Sequence, residues 1–312
     1  MNSFDITPEY YLNHELDHFS PSQDTKPIDF WFWMYVVKNS EFRRKRKPKP
    51  NMIGGTAAEG NTAQTFIHST TDQEVTIPPF SLGSYLFDGY TKEKAIETAI
   101  EYCQEKKLLF TGDDLEHFEK IIDILPIVLL NSFKAVDELK LLDEELQAQK
   151  LCSYKHPGID VHTIGYIDIA TPTRFVEYKT KWMSKGKRGK KDQLLYRKNN
   201  IPTEKTGPDY NHILQVAHYW KATNLEPILL YVSGHKENDY IIFTPDNCDK
   251  LKPESLENFI EQSRRTQMVR QNILQQSNNI KDLAKFIQPD FSSFYWRDFN
   301  SEEMEEVNKL WQ

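Results

Sequence analysis

The sequence predicts an α/β fold, a sheet of short strands inside a helical shell. Residues 164–169 and 174–180 are short runs rich in Ile, Val, Phe and Tyr, and Thr171-Pro172-Thr173 between them is turn chemistry. Residues 227–233 and 239–244 read as a second hairpin around Gly234-His-Lys-Glu-Asn238. From Lys92 to Lys150, by contrast, apolar residues recur at helical spacing.

Taken in order, residues 1–50 read as irregular, with Phe30-Trp-Phe-Trp packing as a short helix or strand against the core. A first helix is expected over 55–68 and a strand over 73–79, ended by Pro78 and Pro79. Three helices are expected between 92 and 150, with breaks near Gly112 and Pro126. A helix around Gln215 follows the 164–180 strands. Another spans about 253–276, where Arg264, Arg265 and Arg270 suit a solvated face more than phosphate contacts. The tail ends in Phe294-Tyr-Trp-Arg-Asp-Phe299 and a short amphipathic helix. The expected division is 1–50 (irregular and basic), 51–250 (core, with a helical insertion at 92–150 and a basic loop at 180–208) and 251–312 (helical extension). No internal repeat is visible.

Composition excludes several classes. The 312 residues can bury a substantial core. The longest apolar stretches, 30–37 and 124–130, fall far short of the roughly twenty residues a spanning helix needs, so no membrane association is expected. Met1 to Asp17 is polar and acidic, unlike a signal peptide. Cys103, Cys152 and Cys248 are scattered and odd in number, which points to a reducing compartment: the cytoplasm, or the host cytoplasm if the gene is phage-borne. They also cannot supply the four thiolates of an iron–sulfur cluster, so none is expected.

The net charge of −7 hides a segregated distribution. Basic residues concentrate in 43–49, beginning Arg43, Arg44, Lys45 and Arg46, and in 179–198, where nine Lys or Arg face one acid, Asp192. Acid collects between Asp113 and Glu145, on what reads as an exposed helical face. Basic clusters of this kind hold phosphates without regard to sequence. The expected contacts are Arg43 to Arg46, Lys181, Lys185, Lys187, Arg188, Lys190 and Lys191. Gly186, Gly189, Pro202, Gly207 and Pro208 make 180–208 read as a flexible loop, with Trp182 and Tyr196 among its basic residues. Trp182 there could stack on an unpaired base or belong to the core.

Three motifs carry chemistry: Gly165-Tyr-Ile-Asp168, Glu177-Tyr-Lys179 and Gln215-Val-Ala-His-Tyr219. Strand side chains alternate, so Glu177 and Lys179 project together while Tyr178 points away. If the two strands are neighbours, Asp168 joins that face, giving hard oxygen ligands of the kind magnesium takes with water and a phosphate. A lysine beside the metal can orient or deprotonate the attacking water, whose pKa the cation lowers. Glu-x-Lys also occurs at Glu105/Lys107 and Glu138/Lys140, but in helical segments where it is a solvated face. Only Glu177-x-Lys179 has strand-like flanks and both companion motifs.

In order and type these motifs resemble the PD-(D/E)XK nuclease superfamily, specifically its RecB-like branch with lambda exonuclease, over residues from about 55 to 245. The resemblance implies a restriction-endonuclease-like core, a central mixed β-sheet flanked by helices, with further N- and C-terminal helical segments here. It implies Asp168, Glu177 and the Tyr178 carbonyl as metal ligands and Lys179 as the catalytic lysine. Gln215 would hold the lysine and water, and Tyr219, four residues on and so on the same helix face, would pack or touch the phosphate. Many RecB-like nucleases carry a His four residues after a Gly in a preceding helix; here Gly55-Thr-Ala-Ala-Glu59 places a Glu, a candidate for holding a second metal. A Glu in a helix's first turn is equally explained by the helix dipole. His68 competes with it but, nine residues on, falls on the opposite side of a regular helix.

The resulting expectation is a nuclease dependent on one or two Mg2+ or Mn2+ ions, an exonuclease acting on single- or double-stranded DNA ends in recombination or repair. A single-strand-annealing or recombination protein as partner and a homo-oligomer both fit that role. A structure-specific or restriction-type endonuclease would use the same residues. The intact Asp168, Glu177 and Lys179 set argues against a non-catalytic nucleic-acid-binding module.

Overall fold

The computed structural model describes residues 7–38, 40–60, 64–68, 73–77, 81–189 and 193–312, and the backbone alone at residues 44, 64–68 and 73–77. The chain opens with short helices α1 (Glu9–Leu12), α2 (Pro21–Asp24) and α3 (Ile28–Trp31), with the brief strand β1 (His18–Phe19) between the first two. A π-helical segment, Phe32–Val37, continues α3, and α4 (Ser40–Lys45) and α5 (Pro50–Glu59) follow. The hairpin β2 (Gln64–His68) and β3 (Gln73–Ile77) leads to α6 (Ser81–Phe87), α7 (Lys92–Lys106) and α8 (Gly112–Glu138). Then come β4 (Gln147–Tyr154), β5 (His162–Ala170), β6 (Arg174–Lys181), β7 (Ser184–Arg188) and β8 (Leu194–Arg197). The chain closes through α9 (Tyr210–Thr223), β9 (Glu226–Ser233), β10 (Tyr240–Phe243), α10 (Pro253–Leu274), α11 (Ile280–Ala284) and α12 (Ser301–Trp311).

Among the described residues six strands form one mixed sheet flanked by helices. β4 lies antiparallel along β5, from Tyr154↔Thr163 to Gln147↔Ala170. The other edge of β5 is shared: β1 pairs in parallel at its start, and β6 pairs only at its end, through Ile169↔Val176 and Ala170↔Phe175. β5 and β6 therefore separate just where Asp168 faces Tyr178. Beyond that point β6 follows β9 in parallel, from Arg174↔Glu226 to Lys181↔Ser233, and α9 is the crossover such pairing requires. β10 closes the edge as the second strand of a hairpin with β9.

Each face of the sheet is covered. Val176, Tyr178, Ile228 and Leu230 pack with Ile53 and Ala57 of α5 and with Ile121, Leu125 and Val128 of α8. Phe175, Leu229 and Tyr231 pack on the other side with Ile213, Val216 and Ala217 of α9 and with Leu256 and Ile260 of α10. At Gly54 an added Cβ would lie 2.6 Å from Ile121 Cγ2 and 3.3 Å from the Trp182 ring, so the close crossing of α5 on α8 requires glycine there. A third cluster joins the two ends of the chain: Tyr11, Phe19, Trp31 and Phe32 pack with Ile273, Leu274 and Leu283.

Four local expectations are corrected. The first helix ends at Glu59, not at residue 68, because Gly60 takes φ 60° and residues 64–68 form a strand. Pro126 does not break α8. It removes one backbone bond, worth about 3 kcal/mol, but Ile121, Leu125, Val128 and Leu129 around it are all fully buried, at roughly 1.5–3 kcal/mol each. The 92–150 region therefore holds two long helices rather than three, and its end, from Gln147, is a sheet strand whose ladder with β5 overrides its polar composition. Arg270 is not on a solvated face: it is 1% exposed and pairs with the buried Asp24 of α2.

Candidate active site

The site is built where β5 and β6 part. Glu177 and Lys179 alternate with the core residues Val176 and Tyr178 on β6, which turns both toward the α9 side of the sheet. Glu177 is fully buried, and Lys179 Nζ donates to its Oε1. Asp168 spans the gap: the Tyr178 amide donates to its Oδ2 at 2.8 Å. In an extended strand one residue's N–H and C=O leave by the same edge, so the Tyr178 carbonyl also faces the gap. The Tyr178 ring points the other way, its hydroxyl 2.7 Å from Ser132 Oγ.

Glu59 arrives from the opposite side. It is the last residue of α5, not in its first turn, so the helix dipole there disfavours its charge rather than explaining it. Gln149 Nε2 donates to Glu59 Oε1 at 2.8 Å, and Glu59 and Asp168 line one small cavity with Gln149 and Tyr178. Gln149, held at φ 45° on β4, is a member that motif reasoning missed; no pattern in the sequence marks it. The side chain of His68 lies outside the described residues.

α9 supplies the remaining wall. Gln215 Nε2 donates to the Tyr219 hydroxyl at 2.7 Å, as the four-residue spacing allows. The Tyr219 ring lies against Gly165, where a Cβ would meet Tyr219 Cε1 at 2.6 Å. Behind Lys179, Tyr231 bridges the Asp209 amide and His212 Nδ1, at 3.0 and 2.7 Å.

The electrostatics are those of crowded carboxylates. Burial, then the Asp168 charge, pushes Glu177 up to about 8 against the opposing effect of Lys179. Burial, then Asp168 and Glu177, pushes Glu59 well above the ordinary carboxylate range. Burial alone would lower the Lys179 pKa, but Glu177 and Asp168 outweigh it and hold the amine as an ammonium.

Among the described residues no three His, Cys, Asp or Glu side chains stand together as a ready metal cage. The donor set nevertheless fits a hard divalent cation, which takes one or two carboxylates and keeps several waters. Glu177 Oε2 is buried without a hydrogen-bond partner, and the crowding of Asp168, Glu177 and Glu59 that raises the two glutamates is what a divalent cation would relieve.

The basic residues do not converge on this site. Trp182 is 4% exposed and donates through Nε1 to Thr180 Oγ1, so it is core and has no face for a base. The 180–208 segment is not a bare loop: β7 and β8 pair, and they dock on the start of α8, where Lys185 meets Asp114 and Arg188 meets Asp113 and Glu116. Lys181 pairs with Asp209, and Lys187 is exposed on β7. Lys190, Lys191 and the Arg44 side chain lie outside the described residues. Arg43 and Arg46, with Lys45, line a separate cleft of about 1130 Å3 at the N-terminal end of α5. Much of its basic lining is already engaged: Arg43 donates to the Met34 and Lys38 carbonyls, Lys45 pairs with Glu41 and Lys49 with Asp298.

No family model matches the chain, and no curated protein matches it in sequence. Two solved structures are similar in shape. One is a protein from Eubacterium rectale provisionally named an exonuclease: 13% identical, TM-score 0.47, covering 96% of this chain and 94% of that one. The other, SSO0001, is 14% identical with a TM-score of 0.25, over 55% of this chain and 85% of its own. Both likenesses are too distant to bear on function. Among the described residues no helix is long and apolar enough to cross a membrane.

Proposed function

We propose that this protein is a nuclease that hydrolyses phosphodiester bonds with a divalent cation, magnesium or manganese. The observation that carries the reading is the assembly at the β5–β6 gap: a buried Glu177–Lys179 pair, Asp168 reaching across from the neighbouring strand, and Glu59 beside Asp168 from a helix more than a hundred residues earlier. Segments this far apart in sequence have no folding need to bring three carboxylates together, and doing so costs stability.

The bound cation would lower the pKa of a water and neutralise charge on the scissile phosphate. Asp168, Glu177 and the Tyr178 carbonyl would hold it, with Glu59 available for a second ion. Lys179, kept protonated by its carboxylate neighbours, suits orienting the water and meeting a phosphate oxygen rather than accepting a proton. Gln215 and Tyr219 close the wall beside it.

The finer reading is an exonuclease acting on DNA ends in recombination or repair, supported by the ordered motif resemblance. End-labelled linear DNA, with and without magnesium, tests both levels. Wild type should degrade it only with the metal, and Lys179→Ala should lose at least about 100-fold in rate, the scale of removing one preorganised charge from a reacting centre. A fully active Lys179→Ala protein would remove the site assignment. Efficient cutting of closed circular DNA would replace exonuclease by endonuclease.

A further inference from the structure

Beside the candidate site, on the β4–β5 surface, lies a pocket of about 580 Å3 that the chemistry above does not use. Its floor is Tyr166 and Leu151, directly paired across the two strands. Both are large and exposed, at 54% and 46%. Gln215 and Tyr219, which wall the carboxylate site, wall this pocket too, and Tyr166 stands only two residues before Asp168, roughly 7 Å along the strand.

We propose that this pocket seats an unpaired nucleobase of the strand being cut, stacked on Tyr166. The proposal rests on the nuclease reading for the identity of the ligand. The lining chemistry separates a base from a phosphate: among the described residues no lysine or arginine lines the pocket, and Asp17 on its rim, hydrogen-bonded to His18, would repel an anion. An aromatic ring and a leucine instead offer the flat apolar surface on which bases stack without regard to sequence. Ser20, Ser22 and Gln215 add hydroxyl and amide groups suited to a base's polar edge. The volume falls in the range of small-ligand pockets, roughly 300–1,000 Å3. A base can present its face to Tyr166 only when out of a duplex, so the substrate would be single-stranded or frayed next to the cut. Trp182, buried in the core, leaves Tyr166 to fill the stacking role.

The test is binding of a single-stranded oligonucleotide carrying 2-aminopurine, in the full chain without metal, for wild type, Tyr166→Ala and Tyr166→Phe. Loss of one stacked base should weaken Tyr166→Ala binding about tenfold and abolish fluorescence quenching, while Tyr166→Phe keeps both because the ring does the stacking. Binding of a blunt duplex should not change. Equal affinity of Tyr166→Ala and wild type for the single strand would overturn the proposal. So would an equal loss for single strand and duplex, or a change in oligomeric state by light scattering, which would mark the patch as a protein contact. The two readings fail separately. Lys179-dependent cleavage with Tyr166-independent binding leaves the nuclease and removes the base pocket; Tyr166-dependent binding without any cleavage does the reverse.

Discussion

Glu177 and Glu59 show at single side chains how the site strains against the fold. Both carboxyls are pushed upward by burial and by neighbouring carboxylates. A raised carboxyl pKa means that the folded state holds a proton the unfolded chain releases above the ordinary value of 4.5. Stability from this source is thus full at acid pH and declines as pH rises toward the folded value. Glu59→Gln, permanently neutral, should therefore make the metal-free protein at least as stable as wild type at mildly alkaline pH, and should reduce the gain in melting temperature on adding magnesium. A variant melting well below wild type without metal would contradict this. Gly165 makes the opposite demand, for space. Gly165→Ala would drive a methyl into the Tyr219 ring and should cost about 1–3 kcal/mol in urea denaturation, with lower cleavage because the Gln215–Tyr219 pair is displaced.

Among elements, α9 is held on both of its faces. Its inner face presents Gln215 and Tyr219, while His218 on the outer face meets Ser263 Oγ at 2.8 Å and Asp24 Oδ2 at 3.3 Å. Asp24 also takes Arg270 at 3.2 Å and Gln267 Nε2 at 2.7 Å, and the Arg270 guanidinium lies 4.7 Å above the Trp31 ring. Burial would raise the Asp24 pKa, but His218, Arg270 and Ser263 outweigh it and the net shift is downward. This network joins α2, α9 and α10 through side chains that are all buried. Arg270→Ala should cost about 3–5 kcal/mol because it strands a buried carboxylate, and adding Asp24→Ala should recover part of that loss. Denaturation of the two single variants and the double variant would show it as non-additivity.

For the whole molecule, buried histidines titrate against the buried carboxyls. Burial, reinforced by His218, lowers His156 to about 4, and burial with the Lys179 and Lys181 charges lowers His212 to about 3. Each is neutral in the fold but protonates near 6.5 once unfolded, so its contribution is full above 6.5 and is lost as pH falls toward the folded values. Between about pH 7 and about pH 5 this loss, about 1–3 kcal/mol, opposes the gain from Glu177 and Glu59, so Glu59→Gln, which lacks one share of that gain, should lose more of its urea midpoint than wild type over the same range; an equal change in the two proteins would contradict this.

Sequence by itself determined the strands carrying Asp168, Glu177 and Lys179 and the helix carrying Gln215 and Tyr219. Their signals are local: alternation of faces, turn residues between strands and a four-residue helical step. Glu59 was legible as a residue but not as a place, although Gly60 is the helix-stop signal that put it at the end of α5. Tertiary structure alone decided that β5 and β6 part beside Asp168, that residues 147–154 are a strand, and that Gln149 supports Glu59. It also decided which charges cancel. Lys185 and Arg188 read as free cations until α8 brings Asp113 and Asp114 against them. Pairing across a sheet or between charge clusters depends on partners tens of residues away, and no local pattern encodes which partner arrives.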